Sequence, residues 1–298
     1  MENNIMLNNI NFNNKMEDFI TYLDVNEETL RCYKEGIKKF LEYLGSIGVK
    51  QPTRNDIRSF RETLSTTNSI YTVNSYLTAL RRFFDYLEDN NLYTNITKNI
   101  KSLKTSDIPV RQTLNVEECK KIYRELSDKR EKLIFGLAIT TGLRANEIAL
   151  SKIENIKSYN GDIVLFVKCK KRDDESEYVK LSKEVLEDIK SYIGNRDNGY
   201  IFVSTSNNNN GGGLTNTSIR NIIKSIFKRF GYDSKGFSCH SLRRSMATIS
   251  YESGADIVKI QQVLHQKSIA TTRRYIQQTT RNNNKLELQL SSQLLGGE

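Results

Sequence analysis

His240 and Arg243 stand three residues apart in the run Cys239-His240-Ser241-Leu242-Arg243-Arg244. On the first turn of a helix that spacing projects both side chains from one face, where an imidazole and a guanidinium can hold one phosphate together. Downstream, Tyr275 follows Ser268-Ile269-Ala270-Thr271-Thr272 and then the pair Arg273-Arg274. A phenol beside two cations is a candidate nucleophile toward an anion such as a phosphodiester. In-line attack on a phosphodiester adds negative charge to its non-bridging oxygens, and without a metal that charge must be met by positive donors. Arginine suits the task because it stays charged and its fork matches two phosphate oxygens. A free tyrosine ionises near pH ~10, so attack near neutrality needs a base or a strong local positive potential.

With the upstream run Gly142-Leu143-Arg144-Ala145-Asn146-Glu147, these residues resemble the signature of the tyrosine recombinase (integrase) family. That signature reads G-L-R-x-x-E, then H-x-x-R, then L-G-H-x-S-I-x-T-T, then the tyrosine. Order and spacing agree, and the resemblance spans roughly residues 15 to 285. It implies that Arg144 and Arg243 meet the phosphate, that His240 bonds it or serves as acid and base for Tyr275, and that Glu147 orients a catalytic group. Tyr275 matches the family nucleophile; Tyr251, within the helix after Arg243, is expected to be a packing residue. Val167-Lys168-Cys169-Lys170-Lys171 resembles the family's V-x-G-K-G element and places Lys170 as general acid for the leaving 5′ oxygen. Both glycines of that element are missing, so Lys168 and Lys171 stay open, although strand alternation puts Lys168 and Lys170 on one face.

The largest departure is Leu264-His265-Gln266-Lys267-Ser268-Ile269, where the family has L-G-H-x-S-I. Gln266 stands at the histidine position and His265 at the glycine. The register to Tyr275 is kept without insertion, so Gln266 is the expected neutral donor to the phosphate. The alternative is a backbone shift that lets His265 reach it. Arg244 is expected to point away from Arg243, toward the surface or a DNA backbone, and Arg273 to meet DNA.

The elements that must carry these groups can be read from hydrophobic spacing. Residues 1 to 14, rich in asparagine, are expected to form a flexible arm. From Met16 the period is helical: Phe19, Ile20 and Leu23, then Leu30, Tyr33, Ile37, Phe40, Leu41 and Leu44. Pro52-Thr53 stops one element and caps another bearing Ile57, Phe60 and Leu64, and a fourth stripe runs from Ile70 to Leu87. This predicts a helical bundle over 15–104, with Lys34, Lys38, Lys39, Arg81 and Arg82 off the apolar stripes and free to meet DNA backbone; a solvated face would look the same. A polar, basic linker interrupted by Pro109 occupies 105–113, and a second domain fills 114–285.

In that second domain, helices near 115–126 and 129–142 deliver Arg144, with Gly142 breaking the helix. Asn160-Gly161 marks a hairpin, the run Ile163 to Val167 a second strand, and Tyr178 to Leu181 a third. Asn207 to Gly213 is a low-complexity loop before a helix over 215–230. The expected fold is mainly α with a small antiparallel sheet, an N-terminal helical core-binding bundle followed by a mixed α+β catalytic domain. The tail, 286–298, carries Leu286, Leu288, Leu290, Leu294 and Leu295, an apolar set suited to contacts between protomers.

Composition sets the partner class. The 298 residues carry 45 Lys and Arg against 35 Asp and Glu, a formal charge of +10, which calls for a polyanion or an anionic membrane. No run approaches the ~18 apolar residues of a spanning helix and the N-terminus lacks a signal peptide's apolar core, so nucleic acid in the cytoplasm is the expectation. Cys32, Cys119, Cys169 and Cys239 are scattered, with only two histidines in the chain, so reduced thiols and chemistry without metal or other cofactor are expected. The resemblance implies a site-specific DNA recombinase working through a 3′-phosphotyrosine, as a homotetramer on two duplex recombination sites, with accessory DNA-bending proteins as further partners. Integration, excision, inversion and resolution are all compatible with it. A type IB topoisomerase shares the chemistry, and the loss of the family histidine at Gln266 raises the second alternative, a DNA-binding regulator without catalysis.

Overall fold

The computed structural model describes residues 10–104, 113–168, 177–205, 211–233, 236–266, 268–273, 275 and 276. The chain divides into two compact units, Met1–Ile108 and Pro109–Glu298.

Among the described residues the first unit holds four helices: α1 Phe12–Tyr22, α2 Glu27–Ser46, α3 Arg54–Thr67 and α4 Ile70–Asp89. Each starts where a side chain can satisfy the free N–H groups of a first turn. Asn26 caps α2 ahead of Glu27 and Glu28, and Ser69 caps α4. At α3 the Thr53 N–H and hydroxyl both donate to the Asp56 carboxylate, at 2.6 and 2.7 Å. The stripes meet in one core in which Phe40 packs edge-on to Phe60 at 5.2 Å and Phe19 lies 5.5 Å from Phe83. Gly36 lets α2 approach α4, since a β-carbon there would lie 3.0 Å from the Tyr76 ring.

The expected arm is shorter than its composition suggests. Asn11 accepts from the N–H groups of Asn13 and Asn14 and so starts α1 at Phe12, whose ring is buried 5.1 Å from Tyr93. Residues 12–14 therefore belong to the folded unit; 1–9 lie outside the described residues, as do 105–112 of the linker. The expected DNA-facing cations also need correction. Arg81 is partly buried, and its Nη2 donates to Ile100 O at 3.0 Å and Ser102 Oγ at 3.1 Å, fixing the chain after α4. Lys34, Lys38 and Lys39 are exposed and pair with Glu17, Glu42 and Glu35 at 2.9, 3.8 and 3.6 Å. Arg82 is exposed.

The second unit contains α5 Val116–Glu125, α6 Lys129–Thr141, α7 Ala145–Ala149, strands β1 Ile156–Tyr159, β2 Asp162–Val167 and β3 Glu177–Lys180, then α8 Lys183–Ile193, α9 Asn216–Arg229, α10 Cys239–Glu252 and α11 Ile257–Val263. The sheet is antiparallel in the order β1-β2-β3, with Leu165 paired to Ile156 on one side and Val179 on the other. Asn160 and Gly161 both take positive φ, 49° and 82°, the geometry of a tight hairpin whose twist suits its strands. Ile153 falls in a short 3₁₀ turn rather than in β1. At the centre runs α6, buried on every side through Leu133, Ile134, Phe135, Leu137 and Ala138, with α5, α8, α9 and α10 packed around it. No described helix is long and apolar enough to cross a membrane.

Candidate active site

Three chain segments of the second unit meet at one guanidinium. The first is the end of α6, where Gly142 takes φ 67° and returns its N–H to Ala138 O. A β-carbon at Gly142 would lie 2.6 Å from Leu264 Cδ2, so this left-handed, tightly packed position demands glycine. Arg144 then serves as N-cap of α7. Its backbone N–H donates to Glu147 Oε2 at 2.7 Å while its Nη1 donates to Oε1 at 2.6 Å. Glu147 is buried at 2% exposure, whereas the Arg144 side chain keeps 31%. The carboxylate holds one edge of the guanidinium inside the protein and leaves the remainder open to a ligand.

The second segment is α10. Ser238 N–H donates to Ser241 Oγ at its start, His240 lies in the first turn, and Arg243 follows one turn later, 2% exposed. Arg243 Nη1 donates to Gly142 O at 2.6 Å and Nη2 to Leu264 O. Its pKa is lowered by burial and then by the charge of Arg144, with Glu147 and the Tyr275 phenol opposing the shift. Although His240 is exposed, the protein crowded about it and the charges of Arg243, Arg144, Arg244 and Arg220 hold its pKa below the ordinary imidazole value. The ring is therefore neutral near pH 7 and able to accept a proton. An arriving phosphate would offset the surrounding charge and make that acceptance easier.

The third segment runs from the end of α11 to Tyr275. His265 takes φ 46° in the position where the family signature has glycine. Its ring is turned to β3, with Nε2 3.2 Å from Tyr178 O and 3.8 Å from Glu177 Oε2, and its side chain is 6% exposed. The alternative in which His265 replaces the family histidine at the phosphate has no support in this geometry. Gln266 comes next: its backbone oxygen accepts from Gln261 Nε2 at 2.8 Å, and its Oε1 accepts from the buried Thr272 hydroxyl at 2.7 Å. With Oε1 so engaged, the amide turns its Nε2 donor away from Thr272. Tyr275 is half-buried against Ala247, Ile260, Leu264 and Ile276.

Arg244 departs from expectation. It is 4% exposed rather than at the surface, and its Cζ lies 5.9 Å from the centroid of the Tyr275 ring. Tyr251, expected to pack, is 38% exposed. Arg273 is exposed, and Lys168 is exposed just after β2. Lys170 and Lys171, like Arg274, lie outside the described residues. Two further groups enter the site without a role expected of them: Arg220 on α9, whose charge reaches His240 and which had no sequence signal, and Thr272, the last residue of the S-I-x-T-T run, which fixes the Gln266 amide. Burial pushes the Cys119 and Cys239 thiols up to about 12 and about 11, so both stay protonated and are poor nucleophiles. No group of three His, Cys, Asp or Glu able to hold a metal ion occurs among the described residues.

These positions give a first test. Gln266→His is expected to preserve or raise the rate of DNA cleavage. His265→Ala should cost less than His240→Ala, for which a loss on the order of 10²-fold is expected of an acid-base residue. Single-turnover cleavage rates rank the variants, and a reversed order of the two alanine variants would return the phosphate contact to His265.

Residues 112–282 match the model of the phage integrase family, and residues 16–91 match the N-terminal SAM-like domain of phage integrases. Tyrosine recombinase XerA of Pyrococcus furiosus is 30% identical over 292 residues, covering 95% of this chain and 96% of the relative. The fold is shared with XerH site-specific recombinase bound to difH substrate in a pre-cleavage complex, at TM-score 0.70 and 22% identity over 95% of this chain and 84% of that one. It is also shared with a lambda integrase tetramer bound to a Holliday junction, at TM-score 0.69 and 19% identity over 90% and 78%. The chain belongs to the phage integrase family and is a site-specific recombinase of the tyrosine type.

Proposed function

We propose that Tyr275 cleaves one DNA strand by attacking a scissile phosphate held by Arg144, Arg243, His240 and Gln266. The phenol gives its proton to His240, and the phenolate oxygen then bonds phosphorus as the bond from phosphorus to the 5′ oxygen breaks. The leaving oxygen takes a proton from a lysine of the 168–171 segment. The product is a 3′-phosphotyrosine and a free 5′-hydroxyl, and the corresponding hydroxyl of a partner duplex reverses the steps to join exchanged strands. Phosphate-ester energy is conserved in the covalent link, so no nucleotide cofactor is needed.

The observation that carries this reading is the convergence on Arg243. One side chain bonds the carbonyls of Gly142 and Leu264 while lying close enough to Tyr275 for the phenol to favour its charged form. A DNA substrate nicked near the cleavage point tests it, because loss of the short 5′ fragment traps the covalent species. A binding protein without catalysis would shift the DNA on a gel and form no adduct. Relaxation of a plasmid lacking recombination sites would favour a topoisomerase instead.

Duplex recombination sites bound in the cytoplasm by four protomers, with DNA-bending proteins assisting, are the partners this reading calls for. Lys34, Lys38, Lys39, Arg82, Arg244 and Arg273 were the cations expected at DNA along with Arg81; the exposed ones remain candidates, whereas Arg81 is partly buried and tied to the chain after α4, and Arg244 is buried. The apolar tail residues Leu286, Leu288, Leu290, Leu294 and Leu295 lie outside the described residues, and we assign them to contacts between protomers. Removing residues from Lys285 onward should leave binding to a single site nearly intact and lower the yield of the two-duplex complex and of recombinants. Sedimentation with paired sites reads the result; undiminished tetramer formation would remove the tail from the assembly.

A further inference from the structure

Arg243 and Arg244 are neighbours in sequence, yet both are buried and both reach Tyr275. On a helix, residues three and four beyond His240 lie to either side of one direction, so α10 can send both arginines toward the same space. Arg243 approaches the phenol from the carbonyls of Gly142 and Leu264. Arg244 instead lies over the ring, its Cζ 5.9 Å from the centroid. The ring also packs against the buried apolar cluster of Ala247, Ile260, Leu264 and Ile276. The charge of Arg244 also reaches His240, the expected proton acceptor.

A cation over an aromatic face is attracted by the ring quadrupole, more strongly where water is excluded. When a phenol ionises, negative charge spreads from oxygen into the ring, and the attraction grows. After the oxygen bonds to phosphorus that charge moves onto the phosphate, so the interaction favours the ionised nucleophile over both the phenol and the ester. Intrinsic nucleophilicity falls less steeply than basicity, so a larger phenolate population yields a net gain in rate below the phenol's pKa.

Resting on the reading of Tyr275 as nucleophile, we propose that Arg244 is a positioning residue: its guanidinium holds the Tyr275 ring face and stabilises the phenolate that attacks the phosphate. Arg243 would then serve the oxygen and the phosphate, and Arg244 the ring. The two adjacent arginines divide one task between opposite parts of one side chain.

The test uses the full chain with ortho-fluorotyrosine at position 275, its titration followed by fluorine NMR without DNA. Replacing Arg244 by glutamine should raise the titration midpoint enough to lower the phenolate population at neutral pH about tenfold, and Arg244→Lys should recover most of the shift. With unlabelled protein on the nicked substrate, Arg244→Gln should slow covalent complex formation about tenfold at neutral pH and approach the parent rate as pH rises. DNA affinity should be unchanged. A substrate with a sulfur leaving atom should not rescue it, since the defect lies in the nucleophile.

Coincident midpoints, or a loss of rate equal at every pH, would overturn the proposal in favour of simple packing. Should the glutamine variant fail to fold, the same measurements on Arg244→Lys and Arg244→Met decide, lysine keeping the charge and methionine only the bulk. A covalent adduct formed by Tyr275→Phe would sink the underlying reading instead, whatever the midpoints.

Discussion

Tyr275→Phe is expected to bind DNA with unchanged affinity and to form no covalent complex, a loss on the order of 10⁴-fold or more in cleavage. The substitution removes one oxygen. The phenyl ring keeps its contacts with Ala247, Ile260, Leu264 and Ile276, and it keeps a face for Arg244. The fold and DNA-facing surface are therefore retained. No other described group can take over the attack from within the site. The thiols of Cys119 and Cys239 are buried and held protonated, and Tyr251 lies exposed near the far end of α10. Gel shift and denaturing gels on the nicked substrate measure the two halves of the prediction. Residual adduct in the Phe variant would move the nucleophile elsewhere in the chain.

Arg144→Ala and Arg243→Ala should each reduce cleavage far more than binding, by about 10²–10³-fold for loss of one donor to the charge that develops in the transition state. The two variants differ in what else they disturb. Arg144 bonds Glu147 and is partly open, so its loss removes one ion pair of that buried carboxylate but spares the packing. Arg243 holds two backbone carbonyls, and truncating it strands both, at roughly 1–3 kcal/mol for each buried acceptor. Thermal melts should show a larger drop for Arg243→Ala than for Arg144→Ala. Arg243→Lys keeps a charge without the fork and separates the two effects, since a folded lysine variant that still cleaves poorly isolates the chemical role. If gel-shift affinity fell as far as cleavage rate, both arginines would be ordinary backbone anchors.

Much of the first unit was legible because its helices bury one face each. Ile57, Phe60 and Leu64 recur at helical spacing and all are buried, and Thr53 with Asp56 announces the start of α3. The arm was misjudged because asparagine richness reads as disorder, while one asparagine, Asn11, is enough to cap a helix that Phe12 then anchors. The hairpin at Asn160-Gly161 was readable since both residues tolerate positive φ. In the site, the motif residues Arg144, His240 and Arg243 were visible from type and spacing. Arg244 departs from expectation because neighbouring helix residues lie only ~100° apart rather than on opposite faces, so α10 turns both arginines toward Tyr275. The turn of His265 onto β3 depends on a backbone conformation that side-chain identity does not reveal.

The ties made by Arg243 also set an order of events during folding. Its two acceptors lie 101 residues before it and 21 after it, so neither bond can form from local structure alone. Leu114 N–H likewise waits 131 residues for Ser245 Oγ. Contacts of such separation repay their loop-closure entropy only once most of the unit has condensed. During synthesis, α6 and α7 are complete long before Arg243 arrives, and Arg243 is present before Leu264 O and Tyr275 exist. A chain interrupted between α10 and α11 would carry His240 and both arginines but lack the carbonyl that aims one of them, and would lack the nucleophile. Such a fragment cannot nick a chromosome it happens to touch. Competence to cut arrives last, as a property of the finished fold.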